Sequence, residues 1–216
     1  MPVQTRTCKD GAFPFVVLEG IPGAGKTKLR DALIHELKTL KLSTHHVGQH
    51  GWLSPKATAL IVEARRGAIG VNTNLLSSAL VEDKRIHLEQ NVRPHLPNHI
   101  VIADRFYASD VVLLACHGED GKSQYVNLAS NDVQKPDICF VMGVTPQIAV
   151  SRLEKSRTSR RFLDSNRCIE VADSTLNYRF PSELCPQTIW LPNSTEAEFS
   201  ESLIIALGII RRLVRK

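Results

Sequence analysis

The sequence lacks the features of a membrane, secreted or metal-clustering protein. No apolar run among its 216 residues is long enough to span a bilayer. The opening segment, MPVQTRTCKDGAF, has no apolar core of the kind a signal peptide needs. Five cysteines (Cys8, Cys116, Cys139, Cys168 and Cys185) show no CxxC spacing, which predicts reduced, structural thiols in a reducing compartment. His45, His46 and His50 lie close together, but no carboxylate or cysteine nearby completes a ligand set. There is no internal repeat and no low-complexity tract. A single domain spanning 1–216 and a cytoplasmic location are the expectations, with no membrane partner. The chain is basic, with a formal net charge of +5 and a pI near 9.0. That balance suits a protein that handles phosphates, and also one that binds nucleic acid.

Against these absences stands one strong pattern. Residues 15–29 read FVVLEGIPGAGKTKL and contain Gly20-x-x-x-x-Gly25-Lys26-Thr27. Glycines at these positions let successive backbone N–H groups turn inward toward a polyphosphate. Lys26 is placed to reach the β- and γ-phosphates, and the Thr27 hydroxyl to hold Mg²⁺. Gly20, Gly23, Ala24, Gly25 and Lys28 complete the candidate ATP-binding loop, and the next helix adds its positive end. The context fits: Phe15–Leu18 is a short apolar run, and Leu29, Leu33, Leu37 and Leu40 share one helical face.

Further along, hydrophobic periodicity predicts strands at 15–19, 43–48, 100–103, 138–144 and 188–191. Helices are predicted at 26–41, 55–66, 72–90, 106–116, 146–156, 168–178 and 199–214. Residues 117–131 are polar and contain glycine, so they read as a surface loop with room for one short turn of helix. Strands alternating with helices imply a parallel α/β sheet, whose active groups gather at the carboxyl ends of the strands.

Two more constellations carry chemistry. Asp104-Arg105 directly follows the apolar run 100–103. A carboxylate there can hold a Mg²⁺-bound water or act as a base, and the arginine can clamp a phosphate. The second is Arg152, Arg157, Arg160, Arg161 and Arg167, the charge pattern of a segment that closes over a nucleotide and stabilises charge building on a transferred phosphoryl group. Phe162 is the only aromatic in that run, which argues against stacking on nucleic acid bases.

Together these segments resemble the thymidylate kinase family of nucleoside-monophosphate kinases over nearly the whole chain. The likeness is carried by FVVLEGIPGAGKT, by Leu75–Pro94 ending in EDKRIHLEQNVRP, by VIADRF followed by Ser109, and by Pro136-Asp137, Thr145-Pro146, Arg152 and the stretch Arg157–Phe162. The resemblance implies a three-layer α/β/α P-loop kinase fold with a five-stranded parallel sheet and an Arg-rich lid near 152–167. It implies ATP and Mg²⁺, with Lys26, Asp104, Arg105, Arg157 and Arg161 catalytic, Arg152 and Arg160 on the nucleotide, and Thr27 and Asp104 serving the metal. It places Lys84, Arg85, Arg105 and Ser109 at the acceptor. It also implies a homodimer, for which the apolar helices 74–90 and 106–116 are either interface or core.

The departures from the family pattern all fall on the acceptor side. Pro22 stands where the family commonly has an acidic loop residue. Lys84 stands at the acceptor-binding arginine and cannot reproduce a planar fork. Leu113-Leu114 occupies the place of a Tyr-Gln pair, and Gly48-Gln49-His50 that of an Arg-Glu-Pro segment. The expected activity is ATP-dependent phosphoryl transfer to a nucleoside monophosphate, dTMP first. The alternatives are a P-loop kinase that phosphorylates a hydroxyl, with Asp104 as base, and a catalytically degenerate nucleotide-binding protein. A GTPase is disfavoured, because Asn131-Asp132-Val133-Gln134-Lys135 does not supply the guanine-reading Asn-Lys-x-Asp. A nucleic acid partner is not expected.

Overall fold

The computed structural model describes residues 13–118, 120–132, 134–156, 162–178 and 180–214. Five strands form one sheet: β1 (Phe15–Glu19), β2 (Thr44–Val47), β3 (Ile100–Asp104), β4 (Ile138–Gly143) and β5 (Thr188–Pro192). Their order is β2-β3-β1-β4-β5, and every pairing is parallel. The composition explains the order. β1, β3 and β4 are apolar runs buried on both faces and fill the middle. β2 carries His45 and His46 and lies at one edge, while β5, with its half-exposed Trp190, lies at the other.

The eight helices among the described residues are α1 (Lys26–Thr39), α2 (Pro55–Arg65), α3 (Thr73–His87), α4 (Tyr107–His117), α5 (Asp120–Asp132), α6 (Pro146–Ser156), α7 (Asn166–Tyr178) and α8 (Glu196–Val214). They cover both faces of the sheet. On one face Phe15, Val17, Val101 and Val141 pack with Ile61, Leu76, Leu80 and Val111 of α2–α4. On the other, Val16, Leu18, Ile102 and Phe140 pack with Leu29, Leu33, Ile169 and Ile210 of α1, α7 and α8. This is the three-layer architecture expected. Successive side chains of one strand serve opposite cores, as a period of two requires.

Local chemistry sets several boundaries. The Ser54 hydroxyl caps α2 at Ala57 N, and Pro55 takes the first helical position, where no N–H is needed. Asn72 caps α3 by accepting from Asn74 N and Leu75 N. After His87 the chain continues through a wider helical turn, Leu88–Val92, before Pro94 and Pro97.

One expectation fails. The polar stretch after His117 is not a loop but α5. Tyr125 and Ala129, one turn apart, are fully buried, and Val126 and Leu128 pack beside them. That apolar stripe outweighs the Asp, Asn and Ser around it. The question of α4 is also resolved: Tyr107–Ser109, Val111 and Leu113–Leu114 are buried within the single chain, so this helix is core. Cys116, Cys139, Cys168 and Cys185 are free thiols, and burial pushes those of Cys116 and Cys139 up. Cys8 lies outside the described residues. No described helix is long and apolar enough to cross a membrane.

Candidate active site

A cleft of about 1030 Å³ opens at the carboxyl ends of the strands. Its floor is the loop between β1 and α1. Gly20, Gly23 and Gly25 all have positive φ, at 143°, 81° and 93°. A Cβ on Gly23 would sit 2.4 Å from Ala149 O, and one on Gly25 would sit 2.3 Å from Asn193 Nδ2. The loop is therefore pressed against α6 and the end of β5, and only glycine fits it. Asn193 Nδ2 donates to Ala24 O at 2.6 Å and fixes the loop from outside.

Lys26 lies inside this curl. Its Nζ donates to Gly20 O at 2.9 Å and Ile21 O at 2.8 Å. Burial, and then the nearby Arg105 charge, push its pKa well below the usual lysine value. A polyphosphate seated over the loop would supply the counter-charge. Thr27 Oγ1 donates to Asp104 Oδ2 at 3.3 Å, so a hydroxyl and a carboxylate from β1–α1 and β3 face one another. These are hard oxygen donors of the kind Mg²⁺ takes, together with waters and phosphate oxygens. Among the described residues no group of three His, Cys, Asp or Glu side chains forms a protein-only metal site. Arg30 Nη1 also donates to Asp104 Oδ2, at 3.3 Å.

Arg105 adopts φ 73°, a left-handed conformation rarely taken by a residue with a side chain. Its Nη1 donates to Gly20 O at 3.0 Å and to Ser109 Oγ at 2.9 Å. Behind it lies Glu19, fully buried at the end of β1. Glu19 accepts from Phe106 N at 2.8 Å, Ser109 N at 3.2 Å and Ser109 Oγ at 2.6 Å. One carboxylate thus caps the start of α4 and locks Ser109 beside Arg105. Burial raises the Glu19 pKa, although Ser109, Arg105 and the two N–H groups pull the other way.

The far end of the cleft is built differently. Lys84 is fully buried; its Nζ lies 2.9 Å from Asp110 Oδ2 and donates to Gln49 O at 2.6 Å. Asp110 also accepts from Gln49 Nε2 at 2.7 Å and from the Tyr125 hydroxyl at 2.7 Å. Arg65 Nη1 donates to Gln49 Oε1 at 2.9 Å and reaches His50 Nε2 at 3.3 Å. Asp83 accepts from Trp52 N at 3.0 Å and pairs with His50 Nδ1 at 3.2 Å. That pairing puts the proton on Nδ1, leaving Nε2 to accept from Arg65. Burial and then the Lys84 charge hold His50 down at about 4, so the ring is neutral. Burial alone would raise Asp83, but the His50 hydrogen bond and the Lys84 charge bring it to about 2.

The placement of the expected residues is mixed. Gly23, Gly25, Lys26, Thr27, Asp104, Arg105, Ser109 and Arg152 line the one cleft, with Gly20 and Ala24 completing the loop. Arg152 donates to Asn193 O at 2.7 Å and Ser194 O at 3.3 Å, tying α6 to the end of β5. Lys28 turns away, pairing with Glu196 and lying 4.1 Å from the Phe199 ring centroid. Lys84 stands behind the cleft wall, and Arg85 is exposed outside it. Arg157, Arg160 and Arg161 lie outside the described residues. Sequence reasoning missed Glu19, Trp52, Arg65, Asp110 and Asn193. Only Glu19 and Asn193 left a local sign, each being a polar residue at the end of a strand.

The family profile described as thymidylate kinase matches residues 18–180. The chain belongs to the thymidylate kinase family. It is 28% identical over 199 residues to a thymidylate kinase of Xylella fastidiosa, covering 91% of this chain and 88% of that protein. A probable thymidylate kinase of Staphylothermus marinus is 32% identical over 145 residues, covering 64% of this chain and 67% of its own length. A thymidylate kinase of Lactobacillus acidophilus is 29% identical over 154 residues, 68% of this chain and 69% of that one. Family membership makes the chain an ATP-dependent phosphotransferase, and the glycine cradle fits that chemistry.

Proposed function

We propose that the protein transfers the γ-phosphoryl group of ATP to a nucleoside monophosphate, with dTMP the favoured acceptor and dTDP and ADP the products. The observation that carries this reading is one cleft lined both by the loop residues Lys26 and Thr27 and by Arg105, Gln49, Trp52 and Arg65. Mg-ATP supplies the transferable group and the cation. Lys26 and the loop N–H groups hold the polyphosphate, and Thr27 and Asp104 hold the Mg²⁺. Arg105, oriented by Ser109, lines the same cleft, where it can meet negative charge on the transferred or acceptor phosphate. Arg152 lines the cleft, and Arg157, Arg160 and Arg161 are the residues that the family resemblance assigns to the nucleotide phosphates. Lys84 acts indirectly in this account: it holds Gln49 and Asp110 in place, and Arg85 has no part.

A phosphate acceptor is already a nucleophile and needs no base. A hydroxyl acceptor would need one, and Asp104 is already shared by Thr27 and Arg30. This supports the monophosphate reading over the hydroxyl one. The same proposal includes one kinase domain with its lid near 152–167, a homodimer, cytoplasmic placement and no nucleic acid partner. Phosphorus NMR of the protein with Mg-ATP and dTMP tests it: dTDP and ADP should appear one for one. Inorganic phosphate without dTDP would contradict it.

A further inference from the structure

Among the described residues three without glycine's freedom have positive φ: Lys41, Trp52 and Arg105. Lys41 follows the end of α1, a common place for that conformation. The other two line the cleft. Arg105 is placed to meet phosphate charge, which leaves the Trp52 conformation to be accounted for.

Trp52 takes φ 57°, and the conformation is held from below. Asp83 accepts from Trp52 N at 3.0 Å, from Gly51 N at 3.2 Å and from His50 Nδ1 at 3.2 Å. One buried carboxylate therefore gathers three consecutive residues and turns the loop outward. The Trp52 indole remains 45% exposed, with the His50 ring 4.6 Å away by centroids and tilted by 59°. Exposure alone would mean little, because Trp190 is 43% exposed as well. Trp190, however, lies on the regular strand β5, outside the cleft, 6.3 Å from Phe180. An outlying backbone that is over-determined by its surroundings and faces a cleft points to function.

Other residues lining the same cleft narrow the guest. Val62 and Val112 add apolar surface, while Gln49, Arg65 and Ser109 offer polar groups in the same cleft. Apolar faces with a polar rim suit a flat heteroaromatic ring. We propose that Trp52 is the platform on which the nucleobase of the acceptor stacks. The inference rests on reading the acceptor as a nucleotide, and it identifies a specificity-determining side chain, Trp52 of the β2–α2 connection, that the sequence reading did not single out.

The test uses the two tryptophans. In a Trp190→Phe background Trp52 is the only indole left. Its fluorescence should be quenched saturably by the monophosphate that the enzyme phosphorylates, and not by Mg-ATP alone. Trp52→Ala should raise the acceptor KM about 10- to 100-fold, as expected for loss of one base–aromatic stack, with the ATP KM unchanged. Trp52→Phe should recover most of that loss. Should Trp52→Ala fail to fold, Trp52→Phe against Trp52→Leu gives the same comparison, since only one of them keeps a π-face. Equal acceptor KM values across these variants, or a silent Trp52 in an enzyme turning over monophosphates normally, would overturn the stacking role alone. Turnover of a nucleoside that quenches Trp52 would support stacking and overturn the monophosphate reading. An acceptor without a base would overturn both.

Discussion

At the donor end of the cleft the working groups come from one continuous stretch, Gly20–Thr27, and from the end of the adjacent strand β3. At the acceptor end they come from α2, α3, α4, α5 and the connection after β2, with Gln49 and Asp110 sixty-one positions apart. The donor end is a backbone device, held open by glycines and read by a lysine and a threonine. The acceptor end is a side-chain device, in which Lys84, Asp110, Gln49, Arg65, His50 and Asp83 satisfy one another. A backbone device tolerates little change, because a single Cβ at Gly23 collides with α6. A side-chain network can be rebuilt as a unit. That difference fits the departures at Lys84 and Gly48-Gln49-His50, which fall in the network, whereas Pro22 lies in the loop itself.

The largest expected effect tests the network as a unit. Lys84→Ala leaves Asp110 buried without its cation and should cost about 3–5 kcal/mol of stability in a denaturant titration. Lys84→Met combined with Asp110→Asn should recover much of this, because the pair is removed together. If Lys84→Ala alone were harmless, the acceptor end would not be a mutually dependent network. The donor end should break differently. Lys26→Ala should lower kcat by about 100-fold or more, with stability little changed or improved, since a buried charge is removed. A parallel loss of stability there would blur the contrast.

Acid should act on the acceptor end. His50 stays neutral in the fold down to about 4, whereas in the unfolded chain it takes a proton near 6.5. The unfolded state therefore binds more protons over that interval, so stability falls as pH falls, by about 3 kcal/mol in all. Asp83 adds to this at lower pH. Its contribution is present above the ordinary 3.8 and is lost as pH falls toward about 2. Chemical denaturation at a series of pH values should show the slope, and His50→Asn should flatten it between 6.5 and 4. The smallest effect is expected at Lys28, whose partner Glu196 is exposed on the surface. Lys28→Ala should leave stability and the ATP KM nearly untouched; a clear rise in that KM would return Lys28 to the nucleotide.

The same contrast explains what the sequence disclosed. The loop was legible because its spacing is local and its chemistry follows from residue types in a row. Asp104-Arg105 was legible because it ends an apolar strand. The depth of burial of β1, β3 and β4 followed from their apolar runs, while the strand order was not read from the sequence. The network was not legible, since nothing near Lys84 in sequence announces Asp110 or Gln49. Tyr125 was hidden twice, first by its distance and then by the polar company that made α5 read as a loop. Trp52 gave no periodic signal, because its position depends on a left-handed turn fixed by Asp83 from another helix.

The most direct test of the account is the initial rate of ADP formation from Mg-ATP across a panel of nucleoside monophosphates, dTMP first, with Lys26→Ala as control. The account predicts Lys26-dependent turnover with at least one monophosphate, dTMP foremost. Measurable ATP binding with no monophosphate raising the rate above the background of ATP hydrolysis would contradict it.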